Sequence, residues 1–108
     1  MKTFLAFAVA ALGLLSQDAQ ADYVTGLRAY HYGDYSVAFS EWKRLAENGR
    51  ADAQYAIGSL YRTGQGVGLD DQEAVRWYRR SADQGNASAI YNLGWMYANG
   101  RGVARDYT

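Results

Sequence analysis

Gly64-Gln65-Gly66-Val67-Gly68-Leu69-Asp70 returns 36 residues later as Gly100-Arg101-Gly102-Val103-Ala104-Arg105-Asp106. The surrounding residues keep the same period: residues 35–72, laid on residues 71–108 without a gap, share 13 identities in 38 positions. A fixed period of this length is the signature of stacked structural repeats. The sequence therefore predicts an array of similar units.

Each unit consists of two predicted amphipathic helices. In residues 35–48 the apolar side chains, among them Ala38, Trp42 and Leu45, recur every three or four positions, which places them on one helix face. Similar patterns predict helices over 22–32, 51–63, 71–84 and 87–99. No segment shows the alternation of a strand, so the predicted fold class is all-α, an α-solenoid of antiparallel helix hairpins.

Residues at the predicted helix ends support these boundaries. Glycine is favoured just past a helix because it adopts the left-handed conformation, and small polar side chains are favoured just before one. Asp34 and Asn86 are therefore predicted to cap helix starts. The glycines predicted to end helices are Gly33, Gly49, Gly64, Gly85 and Gly100.

Gly58 and Gly94 lie inside predicted helices, where glycine costs about 1 kcal/mol relative to alanine. We expect both to be compensated by close approach of a neighbouring helix, which a Cβ atom would block. The residues assigned to the structural repeat motif are Gly58, Tyr61, Gly64, Gly66, Ala74, Gly94, Tyr97, Gly100 and Gly102.

The amino terminus is typical of an export signal. Lys2 precedes an apolar run over 4–15, and Ala19-Gln20-Ala21 forms a small-x-small cleavage site. The alternatives are a membrane anchor or a buried helix, but the run is short for a bilayer span. We expect residues 1–21 to be a signal peptide cleaved after Ala21, and residues 22–108 to form a repeat domain that is periplasmic or secreted.

Composition excludes several function classes. With 11 basic and 11 acidic residues, the formal net charge is zero, which argues against a nucleic-acid surface. The chain has no cysteine, so it forms neither disulfides nor thiolate metal sites, and no lipidated anchor is expected. His31 is the only histidine and cannot by itself provide a metal set or a catalytic relay. We therefore expect no catalytic residue, no metal and no cofactor.

Three local patterns have structural explanations. The glycine-rich loops lack the preceding strand of a phosphate-binding loop, so turn geometry explains them better. Asp70, Asp71 and Glu73 fit the negative charge favoured at a helix start better than a metal site, and Asp106 is equivalent. The basic strip on the helix 71–84 reads as a solvated face; it contains Arg76, Arg79 and Arg80.

The repeat unit resembles a known family. The pattern Ala53-x3-Ile57-Gly58-x2-Tyr61-x2-Gly64-x-Gly66-Val67-x2-Asp70-x3-Ala74-x2-Trp77-Tyr78-x-Arg80-Ser81-Ala82-x2-Gly85 is similar to the Sel1-like repeat. The likeness covers about 34–108, and 23–48 looks like a tetratricopeptide-type entry. The resemblance implies a right-handed superhelix of helix pairs that binds other proteins and is often exported in bacteria.

The sequence departs from that family in small ways. Gly68 and Ala104 stand where the family often has proline, and Ser81 replaces a usual alanine. Asp106-Tyr107-Thr108 looks like the start of another helix. The chain is then either a fragment of a longer array, which we favour, or an array whose last hairpin has no neighbour.

Candidate binding residues come from the helices that line the concave side in related superhelices, here 51–63 and 87–99. Spacing of i, i+4, i+7 places Tyr55, Ser59 and Arg62 on one face, and Tyr91 and Trp95 repeat the first two positions. Tyrosine, tryptophan and arginine are enriched at binding hot spots. The alternative is that Tyr55 and Tyr91 belong to the core.

The sequence therefore predicts a non-catalytic scaffold that binds a protein or an extended peptide, without nucleic acid or a stable membrane anchor. Two alternatives remain at this stage. One is an enzyme that binds or hydrolyses β-lactams, as reported for cysteine-rich relatives, although the cysteines of those scaffolds are missing here. The other is a cell-wall role, in which the groove binds a peptidoglycan enzyme or the glycan.

Overall fold

Five helices and no strand make up the part of the chain described by the computed structural model, residues 18–104. They are α1 (residues 18–31), α2 (Tyr35–Glu47), α3 (Ala51–Thr63), α4 (Asp71–Asp83) and α5 (Ala87–Ala98). The predicted all-α class is confirmed. Four of the five helices end one residue earlier than predicted, and α1 already includes residues 18–21, before its predicted start. Residues 1–17 of the predicted signal peptide, Asp106 and the further helix start lie outside the described residues.

The residues predicted to cap or follow the helices are confirmed at every position but one. Gly33, Gly49, Gly64, Gly85 and Gly100 all have positive φ angles. The side chains of Asp70 and Asn86 accept hydrogen bonds from the backbone N–H groups of Glu73 and Ala89. The prediction for Asp34 is wrong, since its side chain caps nothing. Its ψ of 65° lies outside the extended region typical of an N-cap, and its N–H is bound to the Ala29 carbonyl at 2.8 Å.

Consecutive helices pack against each other along the array, with α3 in contact with both α2 and α4. Three-residue turns join α2 to α3 and α4 to α5, and such short turns fold a helix back on its neighbour. One core cluster contains Trp42, Ile57 and Leu60, and a second contains Tyr78 and Met96. Tyr61 packs against both clusters and so joins one unit to the next.

A polar seam crosses the centre of the array. Gln54 is 2% exposed, and its amide donates to the Ala46 carbonyl at 3.1 Å. Its oxygen accepts from Gln84, which also donates to the Gly49 carbonyl at 2.8 Å. Every polar atom that Gln54 buries therefore has a partner, as burial requires. The repeat does not predict this seam, because the equivalent of Gln54 in the next unit is Ile90.

The second glycine of each Gly-x-Gly loop touches the backbone at the start of an earlier helix, α2 for Gly66 and α4 for Gly102. Gly66 has a φ of 73°, and a Cβ atom there would lie 2.3 Å from the Tyr35 carbonyl oxygen. Gly102 also has a φ of 73°, and its Cβ would lie 2.4 Å from the Asp71 carbonyl oxygen. Both the left-handed backbone and the lack of space require glycine. The prediction that these loops serve turn geometry is confirmed.

The two glycines inside helices differ. A Cβ on Gly58 would lie 2.7 Å from Cδ1 of Tyr78, so the predicted close approach is confirmed there. For Gly94 it is wrong within residues 18–104, because the residue is exposed and nothing in that range lies within 4 Å of a Cβ position. On α1, Gly26 makes the same kind of close contact as Gly58, in this case with the side chain of Trp42.

Tyr97 corrects a second expectation about the repeat. Tyr61 is half-buried and packs edge-to-face on Phe39, with ring centroids 5.5 Å apart. Tyr97, assigned to the same motif position in the next unit, is 37% exposed. The position equivalent to Phe39 is Val75, which offers no ring. The Tyr97 hydroxyl instead accepts a hydrogen bond from Arg79.

Candidate functional site: an aromatic cleft between α1 and α3

A cleft of about 310 Å³ opens where α1 and α3 face each other. Tyr23, Leu27 and Tyr30 line it from α1, and Tyr55, Ser59 and Arg62 line it from α3. Trp42 of α2 closes its base and is only 4% exposed. Thr63 and Gln65 complete the lining near the end of α3. The volume is at the lower end of the range for ligand pockets and suits one or two side chains.

Tyr78 of α4 holds the α3 wall in place from behind. Its ring is fully buried and lies 5.9 Å from the ring of Tyr55. Its hydroxyl is 2.9 Å from the Ser59 hydroxyl and accepts a hydrogen bond from Arg62 Nε at 3.2 Å. The buried Tyr78 side chain thus fixes all three binding residues that the sequence predicts on α3.

Trp95 of α5 lies beside this wall, between two guanidinium groups. Arg62 is 5.9 Å and Arg101 is 5.7 Å from the centre of its ring, both within the range of cation–π attraction. Arg101 also binds Asp71 through two hydrogen bonds, with Nε–Oδ2 at 2.5 Å and Nη2–Oδ1 at 2.8 Å. This bidentate geometry is the preferred one between arginine and a carboxylate.

Two groups in or near the cleft have shifted pKa values. Hydrogen bonding to Arg101 lowers the pKa of Asp71, and the charges of Arg101 and Arg62 add to the effect. Asp71 is therefore ionised at neutral pH. Burial raises the pKa of Tyr23, and the charge of Asp52 raises it further. Tyr23 consequently remains a neutral phenol that can present its ring to a ligand.

The five predicted binding residues fall into three positions. Tyr55, Ser59 and Arg62 line the cleft together. Trp95 is 38% exposed and contacts the cleft only through Arg62. Tyr91 lies outside the cleft lining. It is 73% exposed, so the alternative that Tyr91 belongs to the core is wrong as well. Tyr55 is half-buried and combines both roles.

The α1 wall and Arg101 were not predicted. Tyr23, Leu27 and Tyr30 have the same i, i+4, i+7 spacing as Tyr55, Ser59 and Arg62, so their pattern would have identified them. They lie 32 residues before that set, outside the 36-residue period, which concealed the match. Arg101 occupies the repeat position of Gln65, a cleft residue, and that equivalence was the available signal.

The other candidate residues named from the sequence lie on the surface. Arg76, Arg79 and Arg80 are exposed, as predicted, and Arg76 pairs with Glu73 at 2.6 Å. His31 is exposed at the carboxyl end of α1. Among residues 18–104, no group of three or more histidine, aspartate or glutamate side chains is arranged to hold a metal ion. Within the same range, no helix is both long and apolar enough to cross a membrane.

Fold and cleft together define an all-helical repeat solenoid with an open aromatic groove, and comparison with known proteins gives its family. The Sel1 repeat profile matches residues 51–86 and 87–108, so the chain belongs to the Sel1 repeat family. Sel1 repeats generally mediate protein–protein interactions. The comparison with curated protein sequences gave no match.

Two solved structures are similar to this chain. One is c5321, a protective antigen present in uropathogenic Escherichia coli strains that displays an SLR fold; it has a TM-score of 0.77 and 38% identity over 82% of this chain. The other is a Sel1 repeat protein from Oxalobacter formigenes, with a TM-score of 0.73 and 33% identity over 79% of this chain. The matches cover only 20% and 34% of those longer chains.

Proposed function

We propose that this chain is a non-catalytic scaffold that binds an extended peptide or protein segment in the cleft between α1 and α3. The cleft itself carries this proposal. It is lined by tyrosines from two helices, and tyrosine supplies a large contact area at a low cost in side-chain entropy. Its α3 wall is already held by Tyr78, which lowers the entropy lost on binding.

The proposal places the scaffold in the bacterial periplasm or outside the cell. It is supported by the basic start, the apolar run over 4–15 and the Ala19-Gln20-Ala21 site. One structural neighbour is described as a protective antigen, which is in keeping with export. Protein recovered from a periplasmic fraction should begin at Asp22 by amino-terminal sequencing. A chain that retains Met1 in the cytoplasmic fraction would contradict this location.

Binding through the cleft can be tested with two matched substitutions. Leu27 in the cleft and Val37 on α2, outside it, are both exposed apolar side chains, at 40% and 49%. Leu27→Glu introduces a charge into the cleft and should weaken binding to an array of extended twelve-residue peptides about tenfold, whereas Val37→Glu should not change it. Equal binding by both variants, or no binding by the unmodified protein, would contradict the proposal.

A further inference from the structure

We infer that the cleft selects an acidic peptide segment, in which one carboxylate side chain binds Arg62 and a nearby apolar side chain enters the tyrosine-lined part. This inference rests on the proposed function and adds the chemistry of the partner. Three observations carry it: the unused donors of Arg62, the charge balance around Trp95 and the lack of acidic residues in the cleft.

Arg62 is fixed but not neutralised. Its Nε donates to the Tyr78 hydroxyl at 3.2 Å, which orients the guanidinium group. Among residues 18–104, its two terminal nitrogens have no carboxylate partner and no hydrogen-bond acceptor. An oriented guanidinium with free parallel N–H groups matches the geometry of a carboxylate.

The neighbouring charges leave Arg62 unbalanced. Arg101 uses both oxygens of Asp71, so this pair is neutral and its carboxylate is occupied. Trp95 lies against both arginines and contributes no charge. Two guanidinium groups and one carboxylate therefore leave one net positive charge at this end of the cleft.

The rest of the cleft is uncharged. Among the described residues that line it, Arg62 is the single ionised side chain and none is an aspartate or glutamate. At the α1 end, Arg50 covers the ring of Tyr23 but is paired with Asp52 at 2.7 Å. The charge of Arg62 therefore favours an anionic ligand, and no carboxylate among the described lining residues is available to pair with a cationic one, since complementary charge sets specificity.

The geometry of α3 also fixes a spacing. Tyr55 and Arg62 are seven residues apart on one helix, which corresponds to about 10 Å along its axis. An extended peptide covers that distance with about three residues. The preferred ligand therefore has an acidic side chain about three positions from an aromatic or aliphatic one.

Defined peptides test this selectivity on the unmodified protein. We would compare nine-residue fluorescein-labelled peptides of glycine and serine that carry one tryptophan and, three positions later, glutamate, glutamine or lysine. Fluorescence polarisation should show the glutamate peptide binding about tenfold tighter than the glutamine peptide, equivalent to about 1.4 kcal/mol, and the lysine peptide weakest. The preference for glutamate should shrink at high salt.

A substitution at Arg62 then locates the effect. Arg62→Gln should weaken the glutamate peptide about tenfold and leave the glutamine peptide unchanged, a coupling that general loss of structure would not produce. Arg62→Lys should restore part of the preference because it keeps the charge. Arg76→Gln is the matched control, since it removes an equal charge from the exposed side of α4 and should change neither affinity.

The outcomes separate the two proposals. In one outcome, the peptides bind the unmodified protein, lose affinity in the Leu27→Glu variant and yet show no preference for glutamate. That result would overturn the acidic selectivity and leave the cleft as a binding site. A preference for glutamate that survives Arg62→Gln would place the anion elsewhere and overturn the assignment. Failure of every peptide to bind would contradict the scaffold function itself. Binding of a peptide only through its free carboxyl terminus would overturn the side-chain assignment.

Discussion

Helices α3 and α5 occupy the same place in successive units, yet their side chains have different surroundings. Helix α3 packs between α2 and α4, so Gly58 is buried against Tyr78 and Tyr55 is half-buried. Within residues 18–104, α5 packs chiefly on α4, and Gly94 and Tyr91 are exposed. The repeat motif therefore marks positions where a neighbour can pack. Whether a given copy is buried depends on the helix beside it.

The largest expected effect comes from a loop where both units behave alike. Gly66→Ala puts a Cβ 2.3 Å from the Tyr35 carbonyl oxygen and forces alanine to a φ of 73°. The combined strain should lower the free energy of unfolding by about 3 kcal/mol in urea denaturation. Gly68→Ala, two residues away with open space around it, is the control and should be nearly neutral. Equal stability of both variants would show that the loop does not bear on the helix start.

Alanine at the two helical glycines should have opposite effects. Gly58→Ala forces a Cβ against the Tyr78 ring at 2.7 Å and should cost about 2 kcal/mol. Gly94→Ala meets nothing within 4 Å and should stabilise the protein by up to about 1 kcal/mol, because alanine has the higher helix propensity. Thermal melting of the pair measures both signs. Destabilisation by Gly94→Ala would mean that a further neighbour covers α5.

A smaller difference in stability is expected at the position where one unit has a polar residue, Gln54, and the next has an apolar one, Ile90. Gln54→Ile removes the acceptor of Gln84 and the donor to the Ala46 carbonyl, and should cost about 1–2 kcal/mol. Ile90→Gln changes an exposed position and should stay within about 0.5 kcal/mol. Urea midpoints at constant slope would show the difference. A neutral Gln54→Ile would mean that the seam adds no net stability.

The smallest effect on stability is expected from the ion pair between Arg101 and Asp71, which has no counterpart at the equivalent positions of the unit before. Arg101 holds Asp71 and lowers its pKa, whereas the equivalent positions carry Gln65 and Tyr35. A carboxyl with a lowered folded-state pKa stabilises above its ordinary pKa of about 4, and this contribution is lost as the pH falls through the lowered value. The stability gap between the unmodified protein and Asp71→Asn should therefore be full at pH 6 and close on acidification. A gap independent of pH would contradict the ion pair; Asp83→Asn controls for loss of one carboxylate on α4.

The sequence was sufficient for the class of fold, most helix ends and half of the cleft. Periodicity and glycine positions depend on local geometry, so they were readable from the residues. The α1 wall was not predicted because its residues lie 32 positions before their counterparts, outside the 36-residue period. The buried Gln54 was not predicted because no apolar pattern indicates a buried amide. Gly94 and Tyr97 were misjudged because the repeat assigns a residue type, whereas burial depends on what packs beside it.

The contact of Gly66 and Gly102 with backbone carbonyls has a consequence for how this architecture diversifies. These two contacts are made with main-chain atoms, so they do not depend on which side chains face the groove. Substitutions in the groove can then proceed without altering these contacts. Ser59 and Trp95, which occupy the same repeat position, illustrate this freedom. Such a scaffold is well suited to acquiring new specificities while its shape stays constant.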